Sequence, residues 1–184
     1  MTETSAILYT VGHSNRALAE FLALLGSANI ATLIDVRARP RATRWPHFSG
    51  PKLARSLEES GIGYRWLGDG LGGFRTPSAV CRHIALDETL RGFAEHMETE
   101  EFRRTSADLK QSAMTIPTAI MCAEKDPNRC HRRLIADYME LLNLRVVHLV
   151  DADTRAEHRT SAEARREGAN LIYDRVGRPS LWTE

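Results

Sequence analysis

The strongest constraint on the fold is a regular alternation of short apolar runs with segments of helical periodicity. The runs have the length and composition of buried strands, and they cover residues 6–11, 30–36, 62–67, 118–122 and 145–150. Strands that alternate with helices favour a mostly parallel sheet with helices on both faces. We therefore predict one three-layer, Rossmann-like α/β domain with five strands. Its core covers about residues 5–150, and residues 151–184 form a peripheral segment.

Helical periodicity and chain breakers predict the elements between the strands. Helices are expected over a stretch that ends at Gly26, over residues 51–60, in two pieces that meet near Thr99, from Asn128 to about Leu142, and around residues 161–166. Prolines and glycines predict loops over residues 37–45 and 68–73. The glycines of the second loop allow another backbone or a ligand to approach closely.

Composition restricts the compartment and the partners. No apolar run is long enough to span a bilayer, and residues 1–5 lack the basic start of a secretory signal. The three cysteines form no small-scaffold pattern, so we expect a cytoplasmic protein with reduced thiols and no membrane partner. The net charge of +1 does not indicate a nucleic-acid partner. Only three of the 25 basic residues are lysines, which suits an anionic ligand but equally reflects a compositional bias of the source genome.

Polar and reactive side chains follow the predicted strands at their carboxyl ends, where parallel α/β sheets bind ligands. They are His13 and Ser14 after the first strand, Asp35, Arg37 and Arg39 after the second, Gly72 and Gly73 after the third, Cys122 and Glu124 after the fourth, and Asp151 and Asp153 after the fifth. Polar turn residues end any strand, and this alone explains part of the set. We expect the others to line one pocket.

Cys130 and His131 are predicted to lie in the first turn of the helix that Asn128 caps. Free amide groups and the helix dipole favour negative charge there, and Arg132 adds positive potential. A thiol in this place has a lowered pKa and is a candidate nucleophile. The alternative is that Cys130, four residues before Leu134, only faces the core.

Cys122 ends the fourth strand ahead of a polar loop, and it is either a reactive thiol or a buried small residue. Thiol phosphatases and rhodanese-type sulfurtransferases have a cysteine in this place, but they close the loop with an arginine six residues later, where this chain has Asn128. The loop also lacks glycine, so neither chemistry is assigned. Glu124, in the same loop, is a candidate general base or arginine partner.

A metal site would have to combine Cys122, Cys130 and His131. Their spacing matches none of the usual zinc pairs of cysteines, and adjacent residues of one helix are not expected to chelate together. We therefore predict no metal site. The glycine loop lacks the spacing of a dinucleotide fingerprint, so no NAD site is predicted and the sequence assigns no cofactor.

Asp35, Arg37 and His13 have more than one interpretation. A carboxylate that ends a buried strand serves catalysis, binds a ribose hydroxyl or caps a loop. We expect Asp35 and Arg37 on opposite sides of the strand, so that at most one reaches the pocket. His13 is either a base or a turn residue that satisfies backbone groups.

Aromatic and arginine residues interleave after the second strand. Trp45, His47, Phe48 and Tyr64 stand among Arg39, Arg41 and Arg44. Together they would suit stacking on a base beside a neutralised phosphate. Each aromatic side chain alone is more typical of packing.

Several of these segments together resemble the family catalogued as domain of unknown function 488, which occurs in bacteria and archaea. The matching segments are residues 10–14, residues 33–37 with Pro40, Tyr64 with the loop 67–73, and Cys122-Ala123-Glu124 followed by Cys130-His131-Arg132. They span about residues 9–138, and the cysteine motif is the most specific. The resemblance implies a single α/β domain with a rim site at these positions, and it implies no established reaction.

The sequence supports three hypotheses. The first is an enzyme that acts on an anionic or nucleotide-like small molecule. Its catalytic candidates are Cys130, Cys122, Glu124, His13 and Asp35, and its substrate-binding candidates are Ser14, Arg37, Arg39, Tyr64, Gly72, Gly73, His131 and Arg132. The second is a non-catalytic module that binds nucleotides or nucleic acid through residues 39–48. The third is a buried polar network that only stabilises the fold.

Overall fold

The computed structural model describes residues 6–175. Its main sheet contains β1 (Ile7–Gly12), β2 (Thr32–Asp35), β3 (Gly63–Trp66), β4 (Thr118–Cys122), β5 (Arg145–Asp151) and β6 (Thr154–Glu157). The spatial order is β3-β2-β4-β1-β5-β6. The first five strands are parallel and β6 is antiparallel to β5. The predicted α/β architecture is confirmed, and the sixth strand is an addition that the sequence did not indicate.

The helices are α1 (Leu18–Ser27), α2 (Gly50–Glu59), α3 (Gly68–Leu71), α4 (Glu88–His96), α5 (Glu100–Thr115) and α6 (Arg132–Leu141). The two helices predicted to meet near Thr99 are α4 and α5, and the Thr99 hydroxyl accepts the N–H of Phe102 at the start of α5. Short 3-10 helices cover Pro46–Phe48 and Pro127–Arg129. Among residues 6–175, no helix has both the length and the apolar character needed to cross a membrane.

Two hydrophobic clusters cover the two faces of the sheet. Successive strand residues point to opposite faces, and accordingly Leu33 belongs to the cluster with Phe21 of α1 and Leu53 of α2. Its neighbour Ile34 belongs to the cluster with residues of α4, α5 and α6, such as Phe93. Because both faces are covered, the polar groups of the strand ends are left at the rim of the sheet.

The helix predicted around residues 161–166 is wrong. Strand β7 (Ala164–Glu167) pairs antiparallel with β8 (Asn170–Tyr173), and Gly168 has a φ of 63° in the turn between them. Glycine adopts this left-handed conformation without strain and permits the tight connection. Burial of β8 in the core, where Tyr173 is fully buried, outweighs the local helical pattern.

The predicted start of α6 at Asn128 is also wrong. Residues 127–129 form a separate 3-10 helix, in which the side chain of Asp126 accepts the N–H of Asn128 at 2.9 Å. Cys130 is extended, with φ −139° and ψ 147°, and His131 precedes the first helical residue, Arg132. The thiol and the imidazole therefore lie before the helix, where adjacent side chains can converge.

The ends of β1 and β4 lie unusually close together. The N–H of His13 donates to the carbonyl of Cys122 at 3.0 Å. A Cβ on Gly12 would lie 1.8 Å from the carbonyl oxygen of Glu124, so only glycine permits this approach. The close contact of these two strand ends brings the His13 turn beside the cysteine loop.

Candidate functional site

Two sulfur atoms and one imidazole nitrogen meet beyond the end of β4. The Sγ of Cys130 lies 3.6 Å from Nδ1 of His131, and the Sγ of Cys122 lies 3.8 Å from the same nitrogen. The ligating atoms of the three residues all lie within 4.8 Å of one another. The three side chains are 8%, 4% and 7% exposed for Cys122, Cys130 and His131. We refer to these three residues as the sulfur–imidazole cluster.

The ring of His131 is fixed in orientation by the backbone around it. Its Nε2 lies 3.0 Å from the carbonyl oxygen of Val36, to which it donates. In the neutral ring this leaves the lone pair of Nδ1 facing the two sulfurs. On the other side Gly73 lies so close that a Cβ there would be 2.6 Å from Nδ1. The loop predicted over residues 68–73 is wrong in part, because Gly68–Leu71 form helix α3, but its last glycine makes the predicted close approach, at the cluster.

The two thiols of the cluster have opposite pKa shifts. The hydrogen bond from Cys122 is the largest influence that lowers the pKa of Cys130, and His131 and Arg132 lower it further against the effect of burial. The same hydrogen bond, together with burial, raises the pKa of Cys122. The two shifts favour a negative charge on Cys130 over one on Cys122, because a second negative charge so close would be repelled.

Asp35 and Arg37 form a buried ion pair at the end of β2. The guanidinium Nε and Nη2 lie 2.9 Å and 2.5 Å from the two carboxylate oxygens, and the Tyr64 hydroxyl donates to the same carboxylate at 2.8 Å. The expectation that the two residues lie on opposite sides of the strand is wrong, because residues two positions apart share one face. Burial opposes the charged form, but Asp35 outweighs it and raises the pKa of Arg37, with a small contribution from Cys122.

His13 lies beside this ion pair as a neutral imidazole. Its Nδ1 lies 2.9 Å from the carbonyl of Ser14 and its Nε2 lies 3.3 Å from Nη1 of Arg37. The ring stacks on Phe48 with centroids 4.4 Å apart. Burial, and next the charge of Arg37, lower the pKa of His13 to about 4. Its two nitrogens are thus engaged by the backbone and by Arg37.

Arg132 is 1% exposed and binds groups of the protein itself. It donates to the Thr10 hydroxyl at 3.0 Å, to the carbonyl of Glu124, and to the carbonyl of Lys125 at 3.5 Å. These contacts hold the cysteine loop against β1. The side chain of Glu124 is exposed, so the loop presents this carboxylate to solvent and not to the thiols.

The sequence did not predict a chain of hydrogen bonds that lies behind Arg132. Thr10 contacts Nδ1 of His148 at 2.7 Å, Nε2 of His148 contacts Nδ1 of His158 at 2.9 Å, and Nε2 of His158 contacts Asp137 at 2.8 Å. Because an arginine only donates and a carboxylate only accepts, every proton of the chain is ordered from Arg132 to Asp137. The histidines come from β5 and the loop after β6, and no local motif connects them.

The other candidates lie around the cluster at different depths. Ser14 is half-buried with a φ of 48°, Arg39 is exposed, and Gly72 is buried. At the end of β5, Asp151 pairs with Arg16 at 3.0 Å and with Lys125 at 2.9 Å. The acidic group therefore joins an ion pair at the rim and does not reach the thiols.

The aromatic loop between residues 39 and 48 is only partly available to a ligand. Phe48 is fully buried between His13 and Phe21, so it cannot stack on a base. The guanidinium of Arg44 lies 5.6 Å from the ring centroid of Trp45. Both side chains already contact each other, which leaves less free surface for a nucleotide than the sequence suggested.

A surface cavity of about 620 Å³ lies elsewhere on the described chain. Its lining includes Arg75, Glu95 and His96, and it shares no lining residue with the cluster. Nε2 of His96 donates to the carbonyl of Gly70 at 2.8 Å. The cavity and the cluster thus lie in different places, and the reactive groups belong to the cluster.

Comparison with known proteins identifies the family. The family model described as "Domain of unknown function DUF488" matches residues 17–139, a segment that includes Asp35, Arg37 and the whole cluster. No curated protein and no solved structure matches the chain. By the extent of the family match, the chain belongs to the DUF488 family.

Proposed function

We propose that the chain is an enzyme that acts on a small anionic molecule, a class that includes phosphorylated and nucleotide-like compounds. The observation that carries the proposal is the convergence of Cys122, Cys130 and His131 within 4.8 Å. Two sulfurs face one imidazole nitrogen, whose single lone pair accepts only one S–H. Proteins keep such local conflicts mainly at functional sites.

The charges around the cluster support an anionic substrate. Arg132 and Arg37 both act electrostatically on its thiols, and Arg39, two residues after Arg37, is exposed. In this proposal the reacting atoms of the substrate bind at the sulfur–imidazole cluster, and Arg39 and Ser14 contact the anionic group. Arg37, Asp35 and Arg132 position the site, because their hydrogen bonds are made to the protein itself.

The two other hypotheses receive less support. A nucleic-acid module would use the loop 39–48, where Phe48 is buried, and the net charge of +1 offers no electrostatic attraction over the whole chain. A purely structural network accounts for Arg132, which binds only the protein's own groups. It does not explain why two thiols lie against the same nitrogen of His131.

The test combines binding with turnover on the purified full chain. Inorganic phosphate, nucleoside phosphates and small carboxylates are compared at constant ionic strength by the melting temperature, which a ligand raises by mass action. Every anion that raises it saturably is then assayed for product release. We expect Arg39→Met to weaken binding about tenfold or more, and Cys130→Ala to reduce turnover about 100-fold or more.

Cys81→Ala is the matched control. Cys81 is a free, half-buried cysteine outside the cluster, so its removal should change neither binding nor turnover. The proposal is wrong if no anion of the panel raises the melting temperature or is converted. It is also wrong if Cys81→Ala and Cys130→Ala lose activity equally.

A further inference from the structure

We infer that Cys122, Cys130 and His131 are three ligands of a thiophilic divalent cation of the zinc class, whose fourth position takes water or the anionic substrate. This inference deepens the proposed function and rests on the same site. Three protein ligands with one open position are the pattern of catalytic zinc, whereas structural zinc has four protein ligands. Among residues 6–175, no fourth cysteine, histidine or carboxylate joins the group.

The distances agree with tetrahedral ligation. Metal–sulfur bonds of about 2.3 Å and metal–nitrogen bonds of about 2.0–2.1 Å place neighbouring ligand atoms about 3.5–3.8 Å apart at a tetrahedral angle. The two sulfur-to-nitrogen distances are 3.6 Å and 3.8 Å. All three ligating atoms lie within 4.8 Å of one another, so a shared cation requires at most a small approach of the two sulfur atoms.

The surroundings of His131 are those of a metal ligand. Metal-bound histidines almost always donate their second N–H to a carbonyl or carboxylate, which fixes the ring and raises its basicity. Here Nε2 donates to the carbonyl of Val36 at 3.0 Å, and Nδ1 faces the sulfurs. Gly73 leaves the space beside Nδ1 that a Cβ would occupy.

Hydrogen bonding alone satisfies the cluster less well than a cation does. The lone pair of Nδ1 accepts only one S–H, yet the sulfurs of Cys122 and Cys130 both lie within 4 Å of it. A divalent cation would bind all three atoms at once and neutralise two thiolates. With Arg37, Arg132 and Asp35 nearby, the site then has one net positive charge, which favours an anion in the fourth position.

Successive residues of one helix turn have side chains that diverge by about 100°. The sequence predicts no metal site because it places Cys130 and His131 in such a turn. Because Cys130 is extended and α6 begins at Arg132, that objection no longer applies. The convergence is observed directly, because the Sγ of Cys130 lies 3.6 Å from Nδ1 of His131.

Cobalt titration of the chelator-treated full chain tests this inference directly. Co²⁺ bound by two thiolates and an imidazole should produce a thiolate-to-cobalt charge-transfer band and the visible bands of a tetrahedral ion, with one equivalent per chain. One equivalent of Zn²⁺ should remove both. Loss of an outer-shell partner typically weakens a metal site about 10–100-fold, so Cys122→Ser, Cys130→Ser and His131→Asn should each weaken binding by about 100-fold or more.

Cys81→Ser is the control and should keep the full spectrum. The inference is overturned if folded wild-type protein, checked by circular dichroism, shows no tetrahedral cobalt spectrum. It is equally overturned if Cys81→Ser abolishes the spectrum while Cys130→Ser keeps it. Anion binding by metal-free wild type without cobalt binding would refute the metal and leave the proposed function intact. Cobalt binding without any effect of anions would support the metal site and refute the proposed function.

Discussion

Asp35 and Arg37 hold each other in a bidentate ion pair at the end of β2, with the carboxylate fully buried. Arg37 also donates to the carbonyl of Phe48 at 2.8 Å and contacts His13 at 3.3 Å. The pair thereby fixes the loop that covers His13. A buried charge that loses its partner costs far more than the pair itself contributes, so this relationship is testable by stability.

We expect Asp35→Asn to lower the free energy of unfolding by about 3–5 kcal/mol. The change leaves the Arg37 guanidinium buried without its counter-charge, and it also weakens the hydrogen bond from Tyr64. Urea denaturation measures the effect. The double change Asp35→Asn with Arg37→Met should recover part of the loss, whereas additive losses would show that the two charges do not interact.

Arg132→Met should lower the free energy of unfolding by about 2–5 kcal/mol. It removes the donors that hold the Thr10 hydroxyl and the carbonyls of Glu124 and Lys125. Glu124→Gln is the matched change in the same loop, and its exposed side chain predicts an effect within about 0.5 kcal/mol. Equal effects of the two changes in chemical denaturation would contradict the assigned role of Arg132.

Gly73→Ala should displace the ring of His131. The new Cβ would lie 2.6 Å from Nδ1, and the ring has little freedom because Val36 holds its other nitrogen. We expect a loss of about 1–3 kcal/mol in stability and a weaker cobalt spectrum. Gly26→Ala in α1 meets nothing within 4 Å, so it should raise stability by up to about 1 kcal/mol. A Gly73→Ala protein with unchanged stability and spectrum would rule out the close packing.

The stability of the protein should fall as the pH falls from about 6.5 to about 4. Burial, and next the neighbouring His158, lower the pKa of His148 to about 4, and His13 behaves likewise. In this window the unfolded chain binds protons that the folded chain does not, so each histidine lowers stability by up to about 1.4 kcal/mol per pH unit. Below about pH 4 both states are protonated and the loss from these groups ends.

His148→Gln checks the assignment of that pH dependence. The variant lacks one of the histidines whose pKa is lowered, so its stability should change less steeply with pH between 6.5 and 4 than that of the wild type. Denaturation curves at intervals across this range measure the two slopes. An unchanged slope in the variant would show that His148 is not the group that titrates.

Much of the fold follows from local sequence patterns. Five apolar runs gave the parallel strands because burial on both faces requires continuous apolar segments. The hairpin β7–β8 was not predictable in this way, because its strands are short. Its stability comes from residues such as Tyr173, which pack against residues distant in the sequence. The start of α6 was misplaced because Asn128 is a good cap, while Pro127 and Asp126 stabilise a separate turn.

The sequence predicts which residues form the site better than it predicts the contacts between them. Cys122, Cys130 and His131 are marked by residue type and by the carboxyl end of a strand. Their convergence depends on the backbone angles of Cys130, which no spacing rule reveals. The chain from Thr10 through His148 and His158 is distributed over residues 10 to 158, and only the sheet order places its members side by side.

The central claim is that the sulfur–imidazole cluster is where the protein binds its anionic substrate. The most direct measurement is a crystal structure of the full chain with the anion that raises its melting temperature most. We predict that this anion lies beside Cys122, Cys130 and His131, within hydrogen-bond distance of Arg39 or Ser14. An anion bound instead in the cavity lined by Arg75, Glu95 and His96, with the cluster unoccupied, would contradict the account.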